Sequence, residues 1–160
     1  MTSLRYCLQF AIPAALALWI DLASKYYFFA LFEQNPASRE LVPGFLYISE
    51  ARNTGVAFGM LQGHNAILAV FVAIMALGIP LYGYFQRREG GLFLFALGLV
   101  YGGALGNLYD RWFIHYVRDF IDVRIASYHY PVFNGADSFI CIGVALMVLQ
   151  SWLTPRAPKT

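Results

Sequence analysis

Charge is what this sequence has least of: 12% of its 160 residues are Asp, Glu, Lys or Arg, where a soluble domain carries about 25%. That deficit excludes a surface wetted on all sides. Runs of like charge are absent and the formal net charge is only +2, so nucleic acid is excluded as a natural partner. Cysteine is scarce too. Cys7 and Cys141 fit no metal-ligand spacing, and they are expected near opposite faces of a bilayer, too far apart to bridge. The histidines, His64, His115 and His129, form no HExxH array, which argues against a zinc protease. No GxSxG elbow occurs. Ser24 and Lys25 are adjacent and so point to different helix faces, while Lys159 lies at the wrong end of the chain. No metal and no cofactor are expected.

What is present in abundance is apolar surface, with 59% hydrophobic and 18% aromatic residues. Four stretches read as spanning helices: Tyr6 to Phe32, Ala66 to Phe85, Leu92 to Tyr109 and Ala136 to Leu153. Each approaches the roughly 20 residues needed to cross a hydrocarbon core. The chain is short enough to form one domain, residues 1–160. The N-terminal run also resembles a cleavable signal peptide, with Arg5, an apolar segment and small residues at Ala15 and Ala17. Its apolar character resumes past Asp21 with Tyr26, Tyr27, Phe28 and Phe29, which favours a retained helix. No lipobox-like run precedes Cys7. The tight Arg87-Arg88 loop favours an inside location for Gln86 to Gly91, with both termini in the cytoplasm.

With that orientation, every conspicuous polar cluster reaches the same outer face. Asp21 and Lys25 share one face of the first helix and can pair. At about 1.5 Å per residue they lie within the outer hydrocarbon region, where an ionisable side chain costs roughly 2.5–3.5 kcal/mol. A self-neutralising pair explains them plainly; a bracket for a neighbouring loop or substrate backbone is the functional reading. Gly98, Gly102 and Gly106 form a flat strip on the third helix, suited to close packing. Asn107 and Arg111 follow one turn apart, either as an interfacial arginine or as donors that orient a carboxylate or carbonyl. Apolar alternation around Asp119 and Asp122 suggests a strand. Asp137 opens the fourth helix, where an N-cap is its plainer role.

Two carboxyls held together cannot both ionise cheaply, so one keeps a proton while the other acts as a base. Such a dyad activates water for peptide hydrolysis without metal or covalent nucleophile. Spacing alone does not choose among Asp110, Asp119 and Asp122 as the partner of Asp137.

The blocks Asp21-Leu-Ala-Ser-Lys25, Asn53-Thr-Gly-Val-Ala-Phe-Gly59, Gly102-Gly-Ala-Leu-Gly-Asn-Leu-Tyr-Asp-Arg111, Val117-Arg-Asp119-Phe-Ile-Asp122 and Phe133-Asn-Gly-Ala-Asp137-Ser138 occur in an order that resembles the bacterial lipoprotein signal peptidases (signal peptidase II). The resemblance implies a polytopic α-helical membrane protein, with four transmembrane helices, a small extracytoplasmic β-cradle and a short external helix. Strands are expected within Leu41 to Glu50 and Val117 to Ile125. It implies Asp119 and Asp137 as catalytic, and Asp21, Lys25, Asn53, Gly55, Asn107, Arg111 and Asn134 as substrate-binding or supporting residues. Diacylglyceryl-modified prolipoproteins, cut before the lipid-bearing cysteine, are the implied substrates. Membrane lipid is an implied partner, and cyclic peptides of the globomycin type are implied inhibitors. The implied setting is the bacterial inner membrane. Arg118 departs from a position that is often apolar in the family. The competing reading is a small polytopic transporter with an intramembrane Asp21/Lys25 site, but the inner halves of all four spans are almost wholly apolar.

Overall fold

The computed structural model describes residues 3–56, 60–87 and 89–153. Ala57 to Gly59 of the Asn53 block, Arg88, Arg156 and Lys159 lie outside them. Four helices form: α1 (Ser3–Gln34), α2 (Asn65–Phe85), α3 (Gly91–Tyr109) and α4 (Gly135–Leu153). All four are long and apolar enough to span a membrane. Large apolar side chains point outward along them, with Leu77 at 80% and Trp152 at 81% exposure. That surface suits lipid rather than water.

Helix α3 is the hub, and glycine makes it one. A Cβ at Gly98 would stand 2.5 Å from the Phe10 carbonyl oxygen, and one at Gly102 would collide with the Ala14 carbonyl, both on α1. Gly103 faces α4 in the same way, 2.5 Å from the Ala136 carbonyl oxygen. Backbones therefore meet at distances only hydrogen atoms permit. Pro13 sits inside α1 and packs on Gly98.

At one end of the bundle lies an antiparallel sheet, ordered β1 (Arg39–Val42), β2 (Leu46–Asn53), β3 (Val117–Ile125) and β4 (Tyr128–His129). Val117–Ile125 forms as expected, whereas the Leu41 to Glu50 segment is divided by a turn between β1 and β2, which together reach from Arg39 to Asn53. The sheet rests on α1 through Phe32, Ile48 and Phe120, a buried cluster with Phe28 packed against it. Each such side chain contributes about 1.5–3 kcal/mol by leaving water. No separate short external helix occurs among the described residues. Instead α3 continues into one π-turn, Asp110–Ile114, which ends at left-handed His115 (φ 68°). Such wide turns often accompany functional sites.

Candidate active site

Strand parity decides which aspartate faces where. Successive side chains of β3 alternate between its two sides. Val117, Asp119, Val123 and Ile125 line a cavity of about 840 Å³ between the sheet and α4. Phe120, from the other parity, packs on Phe28 of α1 with ring centroids 4.6 Å apart. Asp122 lies on that side too, bound by Arg124 at 2.6 Å and by the Ser49 hydroxyl at 2.8 Å. Burial alone would push the Asp122 carboxyl up, but those donors outweigh it and hold the group below the ordinary carboxylate range.

Asp110 is committed as well. Its Oδ1 accepts from Arg118 Nη2 at 2.7 Å and Nε at 3.1 Å, while Oδ2 accepts from the Arg118 backbone N–H at 2.9 Å. Lys25 Nζ lies 3.3 Å from the same carboxylate and 2.7 Å from Asp21. The unexpected Arg118 is therefore the partner of Asp110. Lys25, Asp21 and Asp110 are all 0% exposed. Asp21 and Lys25 form the ion pair expected of them, and the pair also meets neighbouring chain. Asp21 Oδ1 accepts from the backbone N–H of Ala136 at 2.7 Å and so holds the start of α4. Gly106, the top of the glycine strip, leaves the space this carboxylate needs, since a Cβ there would strike Asp21 Oδ2. The strip thus reaches into the polar cluster, beyond the packing role expected of it.

Asp119 and Asp137 remain. Among the described residues neither has a cation at ion-pair distance, and both line the cavity. Asp119 lies opposite Ala51 in the β2–β3 register, which puts Asn53 on the same face as its diagonal neighbour. Asn53 Nδ2 donates to Asp119 Oδ2 at 3.1 Å, and Asn134 Nδ2 donates to Oδ1 at 2.5 Å. Asp137 Oδ1 accepts from Asn107 Nδ2 at 2.8 Å, and its Oδ2 from the Asn134 backbone N–H at 3.3 Å. All four carboxyl oxygens thus face nitrogen donors. Asp119 is pushed up from 3.8 to about 7 by burial and then by the Asp137 charge, against the pull of Asn134, Asn53 and Lys25.

The N-cap expected at Asp137 falls instead on Asn134. Asn134 Oδ1 accepts from the Asp137 N–H at 3.0 Å, and Asp137 answers as the third helical residue of a reciprocal capping box. Arg111 spans the site's rim, donating to the Gly55 carbonyl at 2.8 Å and to Asn65 Oδ1 at 3.2 Å. Asn65 donates back to the Arg111 carbonyl at 2.9 Å. A side chain at Gly55 would collide with the Met60 carbonyl. Sequence reasoning had no signal for Asn65 or for the Asp110–Arg118 pair, since both depend on the π-turn. Cys7 and Cys141 are free thiols, and Cys141 lines the cavity.

Known proteins resemble this chain in sequence and in fold. The family model described as signal peptidase (SPase) II matches residues 13–153. The lipoprotein signal peptidase of Staphylococcus carnosus (strain TM300) is 40% identical over 123 residues, 76% of this chain and 77% of that protein. That of Bacillus pumilus (strain SAFR-032) is 39% identical over 122 residues, 76% and 79% of the two chains. A solved bacterial membrane enzyme structure superposes with a TM-score of 0.76 at 30% identity, covering 94% of this chain and 92% of its own. With four membrane-spanning helices, a sheet closing one end and a polar cluster beneath it, the chain belongs to the lipoprotein signal peptidase (signal peptidase II) family of membrane proteases.

Proposed function

We propose that the protein is an aspartic endopeptidase in which Asp119 and Asp137 form the catalytic dyad. On this reading it removes signal peptides from diacylglyceryl-modified prolipoproteins by cutting before the lipidated cysteine. The observation that carries it is the pair of carboxyls in one cavity, held by nitrogen donors on all four oxygens and matched by no cation of their own. Charge balance supports it. Lys25, Arg111 and Arg118 set three positive charges around Asp21, Asp110, Asp119 and Asp137. Four carboxyls and three cations are neutral together when one carboxyl keeps a proton, the state the chemistry needs.

In that state the ionised acid takes a proton from a water held between the carboxyls, and the water oxygen attacks the scissile carbonyl. The protonated acid gives its proton to the carbonyl oxygen. Collapse of the tetrahedral intermediate breaks the C–N bond: a dyad proton passes to the leaving amine while a carboxylate takes a hydroxyl proton from the intermediate, which restores the single shared proton. The mostly apolar cavity wall, with Val123, Ile125 and Ile140, suits a peptide delivered from the lipid phase. The sheet and dyad face the extracytoplasmic side, both termini are cytoplasmic, and cyclic peptides of the globomycin type compete for the cavity. The transporter reading has no support from Asp21 and Lys25, which are sealed into ion pairs at 0% exposure.

The deciding experiment is cleavage of a diacylglyceryl-modified prolipoprotein by the purified chain. Asp119→Asn and Asp137→Asn should each lower kcat roughly 10³-fold or more while the chain stays folded. Cleavage that survives both substitutions discards the dyad.

A further inference from the structure

The three asparagines that touch the dyad each have two chemically different ends, and each presents nitrogen to a carboxyl. Something must fix that choice, because an amide turned by 180° would set oxygen against oxygen. For two of them the backbone does so. Asn53 Oδ1 is held by the Gly55 N–H at 2.9 Å, and Asn134 Oδ1 by the Asp137 N–H at 3.0 Å. Asn107 lies within α3, and among the described residues no backbone donor reaches its oxygen. Its Oδ1 accepts instead from Lys25 Nζ at 2.9 Å and from Asn134 Nδ2 at 3.1 Å. An ammonium has three donors and no acceptor, so Lys25 can face only the oxygen of Asn107, whatever the protonation of the dyad.

We propose that Lys25 is a positioning residue that locks the Asn107 amide with its N–H toward Asp137. The inference rests on the dyad reading given above. Lys25 is itself held in place by Asp21 on α1 and Asp110 on the π-turn, with Arg118 of β3 sharing Asp110. The remaining charged groups around the amide are Arg111 on the π-turn, Asp119 on β3 and Asp137 on α4. With the amide locked, neither carboxyl meets an acceptor from the asparagines. The single proton is therefore left to lie between the two acids or on the attacking water, where it is useful. With Lys25 removed, the neutral Asn134 Nδ2 is left as the donor on the Asn107 oxygen, a weaker hold than the ammonium, and an amide that turns its oxygen to Asp137 draws the proton away from the pair.

The test compares pH–rate profiles in the purified full chain. Lys25→Met with Asp21→Asn removes the cation and one matching charge together, and leaves an oxygen at position 21 for the Ala136 N–H. In this form the acidic limb of kcat should move up by about one pH unit, with kcat near neutrality down about tenfold and KM little changed. Lys25→Gln with Asp21→Asn restores a neutral donor, and its profile should return toward wild type. A folded Met form with wild-type limbs and kcat overturns the proposal, and so does a Gln form that stays as impaired as the Met form. Asn107→Asp keeps the Lys25 cluster, and with it the fold, and sets an oxygen against Asp137 by construction. An unmoved acidic limb there overturns the proposal whatever the Lys25 forms do. Full activity in Asp137→Asn would instead fault the dyad reading.

Discussion

At the scale of single residues, the site separates aspartates that look alike in the sequence. Asp119 is raised from 3.8 to about 7, so the folded chain prefers its neutral form. At about 1.4 kcal/mol per tenfold in proton affinity, that is on the order of 4 kcal/mol. The stability it provides is complete below about pH 4 and is lost as pH rises through about 7. Asp119→Asn should therefore unfold at a higher temperature than wild type at pH 8, although on the proposed mechanism its cleavage should be lost, and the gap should close toward pH 4. Differential scanning at the two pH values checks this. The same protonation predicts that wild-type cleavage declines above about pH 7, as the pair loses its shared proton. Arg118→Leu leaves Asp110 with Lys25 and the backbone N–H of residue 118 and should cost about 3 kcal/mol, read as a lower unfolding midpoint in detergent. The sequence made all of these candidates legible but not the choice among them. Spacing cannot say that residue 119 faces a cavity and residue 122 does not, because parity has meaning only once the strand's partner and the covered face are fixed.

At the scale of elements, the helices were legible to within a few residues because roughly twenty apolar residues in a row leave little alternative. A strand around Asp119 and Asp122 was legible as alternation and its bounds, Val117 to Ile125, came from the family resemblance, yet its first four residues are buried on both sides. The π-turn was not legible, since a shift from i+4 to i+5 hydrogen bonding has no hydropathy signature. The cap was displaced by three residues because Asn134 and Asp137 bond reciprocally, and either could have been the cap on sequence alone. Glycine positions give a sharp contrast. Gly106→Ala places a methyl group on the Asp21 carboxylate, whereas nothing lies within 4 Å of a Cβ at Gly78. The first should cost about 1–3 kcal/mol and much of the activity. The second should leave cleavage intact and change stability by less than about 1 kcal/mol. Because alanine is the better helix former, equal loss in both would mean that the Gly106–Asp21 approach does not govern these positions.

At the scale of the whole molecule, all polar chemistry gathers at the end where the sheet lies, and the opposite end is joined by a short turn. The orientation proposed for it predicts a labelling pattern. In a form with both native cysteines replaced by serine, Ala37→Cys beside the sheet should react with a membrane-impermeant maleimide on intact cells. Glu89→Cys in the opposite turn should react only after lysis. The reverse pattern would invert the topology. The Lys25–Asn107 contact bears on how such a chain is made. Lys25 and Asn107 are 82 residues apart, so at 5–20 residues per second the ribosome takes roughly 4–16 s to supply the amide that Lys25 will hold. Through that interval Asp21, one turn away on α1, is the partner that neutralises Lys25. The i,i+4 spacing that later anchors α4 thus first serves as the helix's own passport into the bilayer, carried until the third span arrives.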